Sequence, residues 1–176
     1  MRNVILISEL YSSNLGDTVI SKISQKLFAK EFGLDHIIQY DISKHRRTLI
    51  GRIVCRLSKL LGLEDLLNRY LYCATKRDIK RILLNKSIVV FSGGQLFLDF
   101  FIPPMLGILD VIKETNTHTY FFFFFIGRLR PREISKLKYY LNNNSIRVTV
   151  RDGLTFFQEN ISPNVYACPD VAIKSS

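Results

Sequence analysis

The sequence predicts a doubly wound α/β domain built on a mostly parallel sheet. Short apolar runs typical of buried strands recur along the chain, and most are followed by a polar or glycine-bearing loop and then by a helical pattern. A chain of 176 residues with 47% hydrophobic content is long enough for one domain with a substantial core. We therefore expect residues 1–176 to form a single domain.

The first repeat of this pattern gives the first candidate site. An apolar strand around Val4 to Ile7 is followed by a polar turn, Ser12 to Asp17, and by a helix from Thr18 to about Phe32 that Gly33 would end. A parallel sheet binds ligands at the carboxyl ends of its strands, where the free N–H groups of the following helix point toward the ligand. The candidate residues of this turn are Asn14, Gly16 and Asp17.

The segment of about 44–86 is predicted to be a basic helical insertion after a short second strand, His36 to Asp41. Eleven Lys or Arg residues against three acids lie between Lys44 and Arg81, so this segment carries +8 of the net charge of +10. One helix would place Arg52, Arg56 and Lys59 together on one face, and Gly62 would end it. A solvated basic face is one interpretation; contact with an anionic membrane surface or a lipid-linked phosphate is the other.

Four further strands are predicted, and three of them supply the remaining candidate site residues. The strand Ile88 to Phe91 is predicted to end in a glycine loop whose amides could cradle a phosphate or carboxylate. Thr119 to Ile126 is predicted to be a core strand, with Arg128, Arg130 and Arg132 after it. A strand from Ser145 to Val150 and a last one from Asn164 to Cys168 follow. The site residues predicted at these strand ends are Gly93, Gly94, Gln95, Arg151 and Asp170.

Composition argues against several classes of function. The three cysteines form neither a CxxC pair nor a zinc spacing, so we expect buried free thiols, a reducing compartment and no metal site. The basic segment has no zinc-finger or RNP-like motif, so we expect no nucleic-acid partner. No signal peptide or membrane-spanning run is visible, which predicts a cytoplasmic protein, held at the inner face of the membrane if its basic helices bind lipid.

Five short motifs at predicted strand ends together resemble the polysaccharide pyruvyl transferase family. In order, they are Asn14-Leu15-Gly16-Asp17, Phe91-Ser92-Gly93-Gly94, Ile126-Gly127, Val150-Arg151-Asp152 with Thr155, and Cys168-Pro169-Asp170-Val171-Ala172. The resemblance implies a Rossmann-like half of a two-domain, glycosyltransferase-B-like fold. It also implies transfer of the pyruvyl group of phosphoenolpyruvate, with no further cofactor, to a sugar or lipid-linked glycan of a cell-surface polysaccharide.

The resemblance further implies an acceptor side formed by Asn14, Asp17 and the glycine loop, and a donor contact from Arg151. Two positions depart from the family pattern, because Gln95 stands where a third glycine is usual and Arg128 where a proline is usual. The Ser-x-Arg-Leu-His motif of the family's second domain occurs nowhere in the sequence, so we expect that domain to be absent and the isolated chain to be inactive unless another chain completes it. Half of a nucleotide-sugar glycosyltransferase and a non-catalytic interaction module remain the alternatives.

Overall fold

The computed structural model describes residues 3–11, 15–33, 36–83, 87–126, 129–150, 153–163 and 165–167. Six strands and seven helices follow one another in this part of the chain. They are β1 (Val4–Ser8), α1 (Leu15–Phe32), β2 (Ile37–Asp41), α2 (Lys44–Arg47), α3 (Leu49–Leu61), α4 (Glu64–Ile82), β3 (Ile88–Phe97), α5 (Ile102–Thr115), β4 (Thr119–Ile126), α6 (Pro131–Leu141), β5 (Ile146–Val150), α7 (Leu154–Asn160) and β6 (Val165–Ala167).

All six strands join one sheet in the order β2-β1-β3-β4-β5-β6, and every neighbouring pair is parallel. The register places Val4 beside Ile37 on one side and Ile88 on the other. Every residue of β1 is buried, as expected for a central strand covered on both faces. The predicted α/β class with a doubly wound parallel sheet is confirmed.

The two faces of the sheet carry unequal numbers of helices. Helix α1 packs Phe28 and Phe32 against Val4, Leu6 and their neighbours on one face. The larger core lies on the other face, beneath α4, α5, α6 and α7. Phe91 and Phe121 stack in this core with ring centroids 4.1 Å apart. On this face, the N-terminal ends of α4, α5 and α6 lie at the carboxyl edge of the sheet.

Helix α1 begins earlier than predicted. The helix starts at Leu15 rather than Thr18, so Gly16 and Asp17 belong to its first turn and not to a preceding loop. The polar run before it is thus shorter than the predicted turn, because Leu15, Gly16 and Asp17 adopt helical torsions and an acidic residue is favourable at a helix N-terminus. The predicted end of the helix is correct: Gly33 has a φ of +84° and its N–H donates to the carbonyl of Ala29.

The predicted glycine loop after β3 is wrong. Strand β3 extends to Phe97, so Gly93, Gly94 and Gln95 continue the strand. Strand β3 extends because the long strand β4 reaches past the end of β1 and remains available for pairing. Ser92 pairs with Phe122 and Gly94 with Phe124, and the register shifts between Gly94 and Phe97. The backbone of the glycine pair is thus engaged in the sheet instead of forming an open anion-binding loop.

The predicted basic helix matches α3, which begins after the N-cap Thr48 and ends at Gly62 with a φ of +64°. Helix α4 after it carries the chain from β2 past β1 to β3 and buries Leu71, Thr75 and Ile79. One expectation about the cysteines fails, because Cys73 on α4 is exposed and Cys55 on α3 is only partly buried. Cys168 lies outside the described residues.

Candidate functional site

The carboxyl ends of β1 and β3 form the topological switch point of the sheet. From β1 the chain crosses to β2 on one side, whereas from β3 it proceeds to β4 on the other. Helices that leave two adjacent strands toward opposite sides create a crevice at that point, where open α/β sheets bind ligands. The predicted site on the first strand and the predicted site on the third strand therefore lie at neighbouring positions of the sheet.

Two groups of predicted site residues lie on elements that pack against each other, and the other predicted site residues lie outside the described part of the chain. Helix α1, whose first turn holds Gly16 and Asp17, packs against β3, which holds Gly93, Gly94 and Gln95. Gly16 is exposed. The side chains of Asp17 and of residues 93–97 are outside the described part of the structure. Asn14, Arg151 and Asp170 also lie outside the described residues, so their predicted roles stay predictions.

Three buried serines lie where α1, β1 and β3 meet beneath this crevice. The hydroxyls of Ser8 at the end of β1 and Ser21 on α1 are 3.1 Å apart, and both side chains are buried. The hydroxyl of Ser92 on β3 donates to the carbonyl oxygen of Ile7 at 3.4 Å. Because serine is short and satisfies its own polar group here, α1 can approach β1 and β3 closely. The Ser8–Ser21 contact thus holds α1 against the carboxyl end of β1.

Polar side chains near the carboxyl end of β2 bind one another. The amide of Ser43 donates to Asp41 Oδ1 at 3.0 Å, and the Ser43 hydroxyl donates to Glu9 Oε1 at 3.2 Å. Arg47 forms an ion pair with Asp41, and its guanidinium lies 4.9 Å from the centre of the Tyr11 ring. These groups satisfy one another, so this corner acts as a support for the crevice.

A groove that the sequence did not predict opens where the N-terminal ends of α4, α5 and α6 meet. It encloses about 690 Å³, and a neighbouring cavity of about 510 Å³ shares five of its lining residues, including Asn68, Pro103 and Arg130. The first turns of three helices contribute partial positive charge to the same space. The side chains that add cations or aromatic rings to the groove are Arg69, Tyr72, Arg130, Arg132, Lys136, Tyr139 and Tyr140.

Two of these cations are free of ion pairs within the described part of the chain. Arg130 Nε lies 3.1 Å from Asp99 Oδ2, and Lys136 Nζ lies 3.6 Å from Glu133 Oε1. Arg69 and Arg132 have no such partner among the described residues. A guanidinium group without a protein carboxylate is suited to bind a phosphate or carboxylate in two-pronged fashion. Three carboxylates, Glu64, Asp65 and Glu133, also line the groove, so its charge is mixed and these two guanidinium groups are the positions suited to an anion.

A cluster around Asp110 fixes the wall of the groove. Asp110 on α5 accepts hydrogen bonds from the hydroxyls of Tyr72 on α4 and Tyr140 on α6, and from Lys76 Nζ at 2.8 Å. Burial alone would raise the pKa of Asp110, but these hydrogen bonds outweigh it and lower that pKa below its ordinary value. The hydrogen bonds to Asp110 and Glu114 raise the pKa of Lys76. One carboxylate therefore connects three helices.

The groove combines residues that are distant in the sequence, which is why it was not predicted. Arg130 and Arg132 were visible as cations after a predicted strand. Arg69, Lys136 and the tyrosines lie on helices at helical spacing, where they do not differ from ordinary surface residues. The one available signal was that α4 and α6 both begin at the carboxyl edge of a parallel sheet.

Comparison with known proteins finds no family model and no curated protein that matches this chain. Within the described residues, no group of three or more His, Cys, Asp and Glu side chains is arranged to hold a metal ion. The same part of the chain contains no helix with both the length and the apolar character needed to cross a membrane.

Proposed function

We propose that this chain forms the acceptor-binding half of a polysaccharide pyruvyl transferase. The observation that supports the proposal is that two of the five family-like motifs lie on elements that pack against each other: Leu15-Gly16-Asp17 in the first turn of α1 and Ser92-Gly93-Gly94 in β3. These motifs are separated by more than seventy residues of sequence, yet α1 and β3 are neighbours in the fold, and the carboxyl edge of such a sheet is where ligands bind.

The proposed reaction joins the pyruvyl group of phosphoenolpyruvate to two hydroxyls of one sugar. Two C–O bonds form at the central carbon of the pyruvyl group as the two hydroxyls lose their protons, one to the methylene carbon and one to the departing phosphate. The C–O bond to the phosphate breaks, which releases inorganic phosphate. This step needs a general acid, cations for the phosphate and carboxylate, and groups that orient the acceptor hydroxyls. In the proposal Asn14 and Asp17 orient the acceptor, and Arg151 contacts the donor.

The groove beside α4, α5 and α6 supports an anionic acceptor. Arg69 and Arg132, which have no ion-pair partner among the described residues, suit a phosphate. The exposed ring of Tyr139 carries Lys113 Nζ over one face, 3.4 Å from its centroid, and in the proposal its other face contacts the sugar. A sugar carried on a lipid phosphate combines these two kinds of group. We propose a lipid-linked glycan as the acceptor for this reason.

The proposal predicts loss of pyruvate ketals from the surface polysaccharide of the producing cells when the gene is deleted. Acid-released pyruvate, measured enzymatically on purified polysaccharide, should fall to background and return when the intact gene is restored. The Asp17→Asn gene should not restore it, because the amide keeps the size of the side chain but loses its charge. The Glu159→Gln gene, altered at an exposed carboxylate of α7, should restore it fully. An unchanged pyruvate content after deletion would contradict the proposal.

A second experiment separates the alternatives with the purified chain. We expect no phosphate release from phosphoenolpyruvate by the chain alone, since the Ser-x-Arg-Leu-His residues that would hold the donor are not in its sequence. Titration calorimetry with uridine and guanosine diphosphate sugars should show no binding. Binding of either nucleotide sugar, with polysaccharide pyruvate unaffected by deletion, would instead identify half of a glycosyltransferase.

A further inference from the structure

The apolar side of helix α3 faces away from the protein. Six large apolar side chains of this helix are between 44% and 81% exposed, whereas the residues buried against the body are Gly51 and Ser58. An amphipathic helix of a globular protein normally turns its apolar side toward the core. The exposed side chains are Leu49, Ile50, Ile53, Leu57, Leu60 and Leu61; Leu63 and Leu66, which flank the exposed acids Glu64 and Asp65, are exposed as well.

Gly51 fixes this orientation. A Cβ atom at position 51 would lie 1.8 Å from the carbonyl oxygen of His45 and 3.1 Å from the Cα of Arg46, so α3 rests directly on the backbone of α2. The N-cap Thr48 holds the same end of the helix, because its hydroxyl oxygen accepts a hydrogen bond from the Gly51 amide at 3.0 Å. The small residues therefore form the packed side of α3, and the large apolar residues are left outside.

The cations of α3 lie beside the exposed apolar side. At 100° per residue, Arg52, Arg56 and Lys59 occupy the sector between the packed small residues and the apolar residues. All three are exposed, and none has an ion-pair partner in the described part of the structure. Helix α3 contains no acidic residue. An apolar side bordered by unpaired cations matches the interface of an anionic lipid bilayer.

We propose that α3 docks this protein on an anionic membrane, lying in the plane of the interface. The thirteen residues of α3 span about 20 Å, too short to cross the bilayer but sufficient to lie along it. A second copy of the chain fits less well, because two α3 helices packed face to face would bring together cations without any acid of α3 to neutralise them. The proposal stands apart from the proposed catalytic function.

Vesicle sedimentation tests this docking on the intact chain. Wild type should bind vesicles of phosphatidylcholine mixed with phosphatidylglycerol, and binding should weaken as salt is raised. The triple change Arg52→Gln, Arg56→Gln and Lys59→Gln should reduce partitioning about a hundredfold, at about 1 kcal/mol for each cation. The matched control changes three exposed lysines of α1 to glutamine, Lys22, Lys26 and Lys30, and should reduce partitioning far less.

The apolar side is tested separately by Ile50→Gln with Leu60→Gln. These side chains are 62% and 81% exposed, so we expect their replacement to leave the fold intact. This variant should lose binding although its charge is unchanged, whereas Leu27→Gln, at a 51% exposed position on α1, should bind as wild type does. Absence of wild-type binding, or equal losses in the lysine control, would overturn the proposal. Sedimentation velocity showing a dimer that Leu60→Gln dissociates, without vesicle binding, would assign the surface to a second copy instead.

Discussion

Replacing Gly107 with alanine is expected to destabilise the protein by about 2 kcal/mol, within the range typical of overpacked contacts. Gly107 lies on α5 where that helix packs along α4, and a Cβ atom there would lie 2.6 Å from the carbonyl oxygen of Tyr72 and 3.2 Å from the amide nitrogen of Lys76. Both atoms belong to the backbone of α4, so no side-chain rotation can relieve the contact. The two helices would have to separate along their shared interface.

A loss of stability in Gly107→Ala would be opposite to the effect of this substitution in an isolated helix. In an isolated helix, glycine to alanine is stabilising by up to about 1 kcal/mol, so a loss of stability can arise only from the contact with α4. Urea denaturation followed by circular dichroism should show the loss, and the melting temperature should fall by roughly 4–8 °C. Gly62→Ala is the matched comparison, because a Cβ there meets nothing within 4 Å and only the positive φ of +64° opposes it. A Gly107→Ala protein as stable as wild type would show that α4 and α5 are not in close contact.

Replacing Asp110 with alanine is expected to cost roughly 2–3 kcal/mol of unfolding free energy at neutral pH, since hydrogen bonds to a charged acceptor contribute more than neutral ones. The change removes the shared acceptor of Tyr72, Lys76 and Tyr140, and the Asp110 side chain is only 22% exposed. Tyr72→Phe and Tyr140→Phe should each lose a smaller part of the same free energy. Glu159→Gln, at an exposed carboxylate of α7, serves as the control and should be neutral.

The contribution of Asp110 should disappear in acid. The fold lowers the pKa of this carboxyl below its ordinary 3.8, so its stabilisation is complete above that pH and is lost as the pH falls through the lowered value. The difference in unfolding free energy between wild type and Asp110→Ala should therefore narrow steadily below pH 3.8. A difference that stays constant from neutral pH into this acid range would show that the carboxylate charge is not what joins the three helices.

The architecture was predictable because it depends on features that are local in the sequence. Runs such as Val4 to Ile7 and Ile88 to Phe91 are apolar at every position, which distinguishes strands buried on both faces from half-exposed ones. Gly33 and Gly62 were correctly predicted to end helices because their left-handed torsions are a local requirement. The extension of β3 was not predictable in this way, since it depends on β4 continuing beyond β1 in three dimensions.

Only the part of the candidate site that lies at the ends of individual strands was predictable from the sequence. The carboxyl ends of β1 and β3 meet as expected from the parallel topology, whereas the groove combines Arg69, Arg132 and Tyr139 from helices that the sequence does not show to be neighbours. The outward direction of α3 is a similar case. Its apolar and basic sectors are visible in the sequence, but which sector faces the body depends on the contact of Gly51 with α2.

That contact gives Gly51 an influence on the protein surface although the residue is buried. A larger residue at this position would push α3 off the backbone of α2 and change which side chains face outward. The amino acids at the exposed positions of the helix would not have been altered. A substitution that never touches lipid could thus abolish membrane docking. In comparisons of related chains, retention of this glycine would be more informative about docking than the exact identities of the leucines, which can interchange with other apolar residues.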